Sequence, residues 1–129
     1  LISRKSKVES GKMVIKRFED LIAWQKAQDL AVLIYYKFEN CKDYKFKNQI
    51  CSAGVSISNN TAEGFDRSSD ADFARFLYMA ISSCSEVKSM SYLALRLDYI
   101  DAESQEQIIG ASEEVAKIIR GLIKSVKKD

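Results

Sequence analysis

From Phe73 to Leu97, eight residues (Phe73, Phe76, Ala80, Ser83, Val87, Met90, Ala94 and Leu97) follow one another at steps of three and four. Only a helix returns side chains to one side at that interval, and a run of about four heptads is the length of a bundle seam. Beside it runs a second line, Leu77, Ile81, Cys84, Ser91 and Leu95, which makes the buried face broad. A helix with so wide an apolar face must be covered by others. Nothing in the 129 residues prevents long partners from forming, because the chain contains no proline.

Three further stretches supply those partners. Ala23, Ala27, Leu30, Ile34 and Phe38, widened by Leu33, predict a helix from about Asp20 to Phe38. Phe46, Ile50, Ala53 and Ile57 predict a second from about Tyr44 to Glu63, with Gly64 placed to close it in a left-handed cap. Ile108, Ser112, Val115, Ile119, Leu122 and Val126 carry the last, which begins after an N-capping Asp101. The third helix starts at Ser69, where Ser69-x-x-Asp72 resembles a capping box. Lys124, Lys127 and Lys128 lie at the end of the fourth, where positive charge complements the helix dipole. Long helices with short connections must double back, so the expected fold is all-α: an antiparallel, up-down-up-down four-helix bundle over residues 18–129.

Composition sets limits on function. There is no histidine, which removes the commonest general base and metal ligand. A di-metal site of the bundle type needs Glu-x-x-His pairs, and a catalytic cysteine needs its histidine, so neither is expected. The three cysteines, Cys41, Cys51 and Cys84, form no C-x-x-C pair and read as small apolar side chains in a reducing compartment. No apolar run reaches the ~18 residues of a membrane span, and no signal-peptide core follows the N-terminus; a cytoplasmic protein is expected. The net charge of +2 is unevenly placed. Residues 1–17 hold six basic side chains and one acid, so the rest of the chain is mildly acidic. That basic leader reads as flexible and, over residues 1–12, as partly vector-derived.

Two groups of residues exceed what a plain bundle needs. Gln49, Ser56, Asn60 and Glu63 line one side of the second helix, at the margin of its apolar line. Either they face water, or they form a polar seam that fixes register or subunit contacts. Glu63, in the last turn of its helix, would then need a partner, and Arg67 is the nearest. The second group is Lys42, Lys45 and Lys47, interleaved with Tyr44 and Phe46, with Arg67 and Arg75 further on. Lysine and arginine contact phosphate and aromatic rings stack on bases, so these are the candidate nucleic-acid-binding residues. Trp24, the lone tryptophan, is expected to fill the core or a subunit contact.

The run Gln49-Ile50-x-x-Ala53-x-x-Ser56-Ile57-x-x-Asn60-x-Ala62-Glu63-Gly64 closely resembles the signature of a bacterial four-helix-bundle family. Its members include proteins encoded in intervening sequences of the large-subunit ribosomal RNA gene and the accessory variability protein of diversity-generating retroelements. Phe18-Glu19-Asp20-Leu21, Trp24-Gln25-Lys26-Ala27, Arg75-Phe76-Leu77 with Ala80, and Ser83 with Glu86 agree with the same pattern. The resemblance implies a non-catalytic, homopentameric scaffold that binds structured RNA or a ribonucleoprotein partner, a reverse transcriptase in the retroelement branch. No cofactor, metal or small-molecule substrate is expected. The chain departs from the family where arginines usually follow Gln-Ile and the helix-three alanine: Cys51, Ser52 and Ile81 stand there. A protein-interaction scaffold without nucleic acid is the alternative reading.

Overall fold

A computed structural model describes residues 9–10 and 13–127. Four helices carry the fold: α1 Ile22–Lys37, α2 Tyr44–Phe65, α3 Asp70–Arg96 and α4 Ala102–Val126. A 3-10 turn, Phe18–Asp20, leads into α1. Ahead of it, β1 Glu9–Ser10 pairs antiparallel with β2 Met13–Val14, a ladder too short to change the all-α class. The expected leader falls largely outside the described residues, but its downstream part needs correction. Ile15 is only 6% exposed and belongs to the core, so the packed body starts upstream of residue 18.

Each helix packs on the next and α4 closes back on α1. Contacts between helix ends show the alternating direction. Phe38 at the end of α1 lies 5.9 Å from Phe46 at the start of α2, and Lys127 after α4 lies over Tyr78 near the start of α3. The predicted apolar lines form the core: Ala27, Ile34, Phe38, Ile50, Ile57, Phe73, Leu77, Val87, Ile108 and Ile119 are all fully enclosed. The α3 seam holds as far as Ala94, while Leu97, its expected last member, is exposed. The helix has ended by then: Asp98 turns left-handed at φ 60°. Tyr99 N–H then reaches Ala94 O and Asp98 N–H reaches Leu95 O, the pairing of a Schellman cap.

The caps follow the side chains. Ser69 accepts from Asp72 N–H and Asp101 from Ser104 N–H, as their positions predict. Asp43 also caps, accepting from Phe46 N–H at 3.1 Å, though its stretch reads in sequence only as a polar connection. Gly64 is a correction. It lies inside α2, which runs on to Phe65, and its role is clearance: a Cβ there would stand 2.6 Å from Phe76 Cβ and 3.0 Å from Phe73 Cδ1. The missing side chain lets α2 and α3 close at that end, beside the edge-to-face pair Phe65–Phe73.

Candidate functional site

The side of α2 that faces α3 carries the polar seam. Asn60 Nδ2 donates to both the carbonyl and the hydroxyl oxygen of Ser56, each at 2.9 Å. The Ser56 hydroxyl then meets the Ser83 hydroxyl of α3 at 2.9 Å. Further along, Gln49 Nε2 donates to Glu86 Oε2 at 3.3 Å. Three of the four seam residues are thus brought onto one line across two helices. Glu63 is not: its side is exposed, and it enters no ion pair among the described residues. A hydrated carboxylate needs no partner, and Arg67, the partner expected for it, is engaged elsewhere. Sequence reading missed a comparable link on the other side of α2, where Gln28 of α1 donates to the buried Ser58 hydroxyl at 3.0 Å.

The five candidate basic residues separate into two groups. Lys42, Lys45 and Lys47 lie where α1 turns into α2, and Arg67 and Arg75 where α2 turns into α3. They lie at opposite ends of α2, whose 22 residues span about 33 Å at 1.5 Å per residue.

At the lysine end the aromatic and acidic neighbours are already committed. Phe46 is buried between Phe38 and Tyr99, so it offers no ring to a base. Asp43 accepts the Tyr99 hydroxyl at 2.7 Å as well as the Phe46 N–H. The Tyr99 hydrogen bond, then that N–H, hold its carboxyl below the usual range, and the same bond pushes the Tyr99 phenol up. Asp101 is held low by the backbone N–H of Ser104, then by its hydroxyl, with a smaller contribution from the Lys37 charge. Lys47 Nζ donates to the Glu39 carbonyl. Lys42 and Lys45 remain exposed, with Tyr44 beside them.

The arginine end is arranged differently. The guanidinium carbons of Arg67 and Arg75 lie 4.7 and 4.8 Å from the centroid of the one Phe76 ring. Arg75 Nε also meets Asp72 Oδ1 at 3.3 Å, an exposed pair. A nearly buried ring thus holds two exposed cations, a geometry suited to an anionic partner.

This end is extended by residues that sequence reading passed over (Lys117 and Arg120) or treated only as complement to a helix dipole (Lys124 and Lys127). From Val115 to Lys127 the chain holds Lys117, Arg120, Lys124 and Lys127 at steps of three, four and three, with no acid. Those spacings place them along one side of α4, a signal present in the sequence. Between α3 and α4 runs a cleft of about 800 Å³ bordered by Tyr78, Ile81, Arg120, Ile123, Lys124 and Lys127. Lys127 Nζ stands 5.7 Å over the Tyr78 ring. Ile81, one of the positions lacking a family arginine, forms the α3 wall, opposite the basic wall of α4. A smaller hollow adjoins the cleft at Arg120, and its lining includes Ser112, whose buried hydroxyl has no hydrogen-bond partner, and Cys84. Burial pushes the Cys84 thiol up to about 11, which makes it a poor nucleophile near neutral pH.

Among the described residues, no three or more metal-ligating side chains come together, and no helix is long and apolar enough to cross a membrane. Trp24 is half-buried on α1, edge-on to Phe18 at 5.4 Å.

Comparison with known proteins agrees with the resemblance carried by residues 49–64. The family model described as 23S rRNA-intervening sequence protein matches residues 19–121. A crystal structure from Bacteroides thetaiotaomicron, of a protein with unknown function from the S23 ribosomal protein family, is 32% identical. It covers 80% of this chain and 99% of its own, with a TM-score of 0.74. No curated protein matches. A match over most of the chain and a solved relative of the same bundle shape together mean that this chain belongs to the 23S rRNA-intervening sequence protein family.

Proposed function

We propose that this protein is a non-catalytic cytoplasmic scaffold that assembles into a homopentamer and binds structured RNA, alone or within a ribonucleoprotein. The observation that carries the RNA reading is the basic end of the bundle, where Arg67 and Arg75 share the Phe76 ring and the Tyr78 cleft continues the positive surface along α4. Charge of this kind neutralises phosphates without reading sequence, which suits a partner recognised by shape. The basic row of α4 adds cations to a chain that holds Cys51, Ser52 and Ile81 where the family pattern has arginines. The non-catalytic reading is supported by the lack of histidine and by the raised Cys84 thiol. The pentamer rests on the family resemblance.

The test is binding of a structured RNA hairpin by the full chain, titrated across salt. Arg67→Ala and Arg120→Ala are each expected to weaken binding several-fold and to lower the salt slope by about one. Lys45→Ala, at the opposite end, is expected to change either quantity much less. Equal losses at both ends would remove the arginine end as the site; no salt-dependent binding would remove the RNA reading. The second reading, a protein-interaction scaffold, is favoured by one observation. Val32, Tyr35 and Tyr36 are all more than half exposed on α1, beside Val55 of α2. Native mass spectrometry of the full chain tests the subunit number.

A further inference from the structure

The glycines of this chain fall into two kinds. A Cβ on Gly54 or Gly64 would stand 2.8 or 2.6 Å from a neighbouring helix's side chain, so packing within the chain explains them. Gly110 and Gly121, both exposed in the interior of α4, have nothing within 4 Å of an added Cβ. Glycine is among the poorest helix formers, so neither has a reason inside the chain. They are eleven residues apart, about three turns, and therefore share one side of the helix.

That side is also divided by charge. Glu103, Glu106, Glu113 and Glu114 occupy its upstream half and Lys117 and Lys124 its downstream half, while Arg120 and Lys127 turn toward the α3 cleft. The helix dipole accounts for charges in the first and last turns only, whereas Glu113, Glu114 and Lys117 stand mid-helix. Glu113 is used internally by Lys88 at 2.7 Å. Glu106, Glu114, Lys117 and Lys124 enter no ion pair among the described residues.

We propose that this face of α4 is a docking surface for a second copy of the same chain, its α4 laid antiparallel across a two-fold axis. In such a contact residue i meets j and j meets i. Setting Gly110 against Gly121 fixes the register. It then sets Glu114 level with Lys117 and Glu106 within one residue of level with Lys124, each twice. The two glycine positions let the backbones approach where side chains would hold them apart. A parallel arrangement would oppose like charges, so the pattern selects the antiparallel one. The pairs are exposed, so the association is weak and sensitive to salt. It draws on lysines that the RNA reading also uses, so RNA and a second copy compete for them; in a ring the contact joins one assembly to another.

Glu106→Cys with Lys124→Cys in the full chain tests the register. Within one chain these positions are about 27 Å apart along the helix, too far for a disulfide. Oxidation is expected to give a covalent dimer that neither single variant nor the parent chain gives. Sedimentation at low and high salt tests the energetics. Glu106→Lys is expected to weaken the salt-sensitive association at least tenfold, and Glu106→Lys with Lys124→Glu to restore it at unchanged net charge. Gly110→Ala with Gly121→Ala is expected to raise the melting temperature while weakening association. No cross-link, no rescue by the swap, or alanines that leave association intact would each overturn the proposal, including the case in which a different acidic protein or an RNA occupies the basic half.

Discussion

The two ends of α2 carry similar ingredients and use them in opposite ways. At each, basic residues stand within a few positions of a phenylalanine. At the α1–α2 end the phenylalanine, Phe46, is enclosed by Phe38 and Tyr99, and the local carboxylate is spent on a helix cap and a tyrosine hydroxyl. The lysines there decorate a closed structural joint. At the α2–α3 end the phenylalanine, Phe76, is the platform for two guanidiniums. What separates a joint from a surface is whether the ring's faces are covered by other rings or by cations that still face water. The interleaving of basic and aromatic residues in sequence does not distinguish them.

The strongest way to break this contrast is Phe46→Ala. If the lysine end is a structural joint, the variant loses about 3–5 kcal/mol of stability in chemical denaturation, the usual cost of removing a core phenylalanine. A loss under ~1 kcal/mol would mean the ring is not integral to the joint. Next is Gly64→Ala at the other end. The added methyl must displace Phe76, so a loss of about 1–3 kcal/mol is expected, with weakened RNA binding beyond what the stability change explains. An alanine that leaves binding unchanged would uncouple the Phe76 platform from the site. The smallest effect is with pH. The Asp43 carboxyl is held low, so its contribution is complete above about pH 4 and is lost as pH falls through the depressed folded value. The Tyr99 phenol is raised, so its contribution is complete below about pH 10 and is lost as pH rises through the folded value. Melting temperatures of the parent and Tyr99→Phe are expected to converge at both extremes and to differ most between them.

Much of the bundle was legible because its signals are periodic and local. The lines through Ala27, Ile50, Phe76 and Ile108 recur at helical spacing, and Ser69 and Asp101 cap within three residues of themselves. What stayed hidden depends on facts that no local pattern carries. A glycine after a helix reads as a cap, but Gly64 answers to Phe73 and Phe76 on another helix. Arg67 reads as a partner for Glu63 four positions away, but Phe76 offers it a ring across the turn. The basic row of α4 was visible as spacing; the α3–α4 cleft beside it was not, because Tyr78 and Ile81 come from a helix distant in sequence.

The contact between Ser56 and Ser83 has a mechanical consequence. Two short hydroxyls meeting across a helix pair act as a detent. If α2 advanced one turn along α3, Ser56 would oppose an apolar neighbour of Ser83's row, Met79 or Val87, and its partly enclosed hydroxyl would keep only Asn60 of its own helix. Apolar side chains alone tolerate small shifts; a single paired hydroxyl tolerates almost none, because it works only at one offset. Any strain passed through the bundle by a bound partner will therefore rotate or tilt α2 and α3 as one body and not slide one along the other.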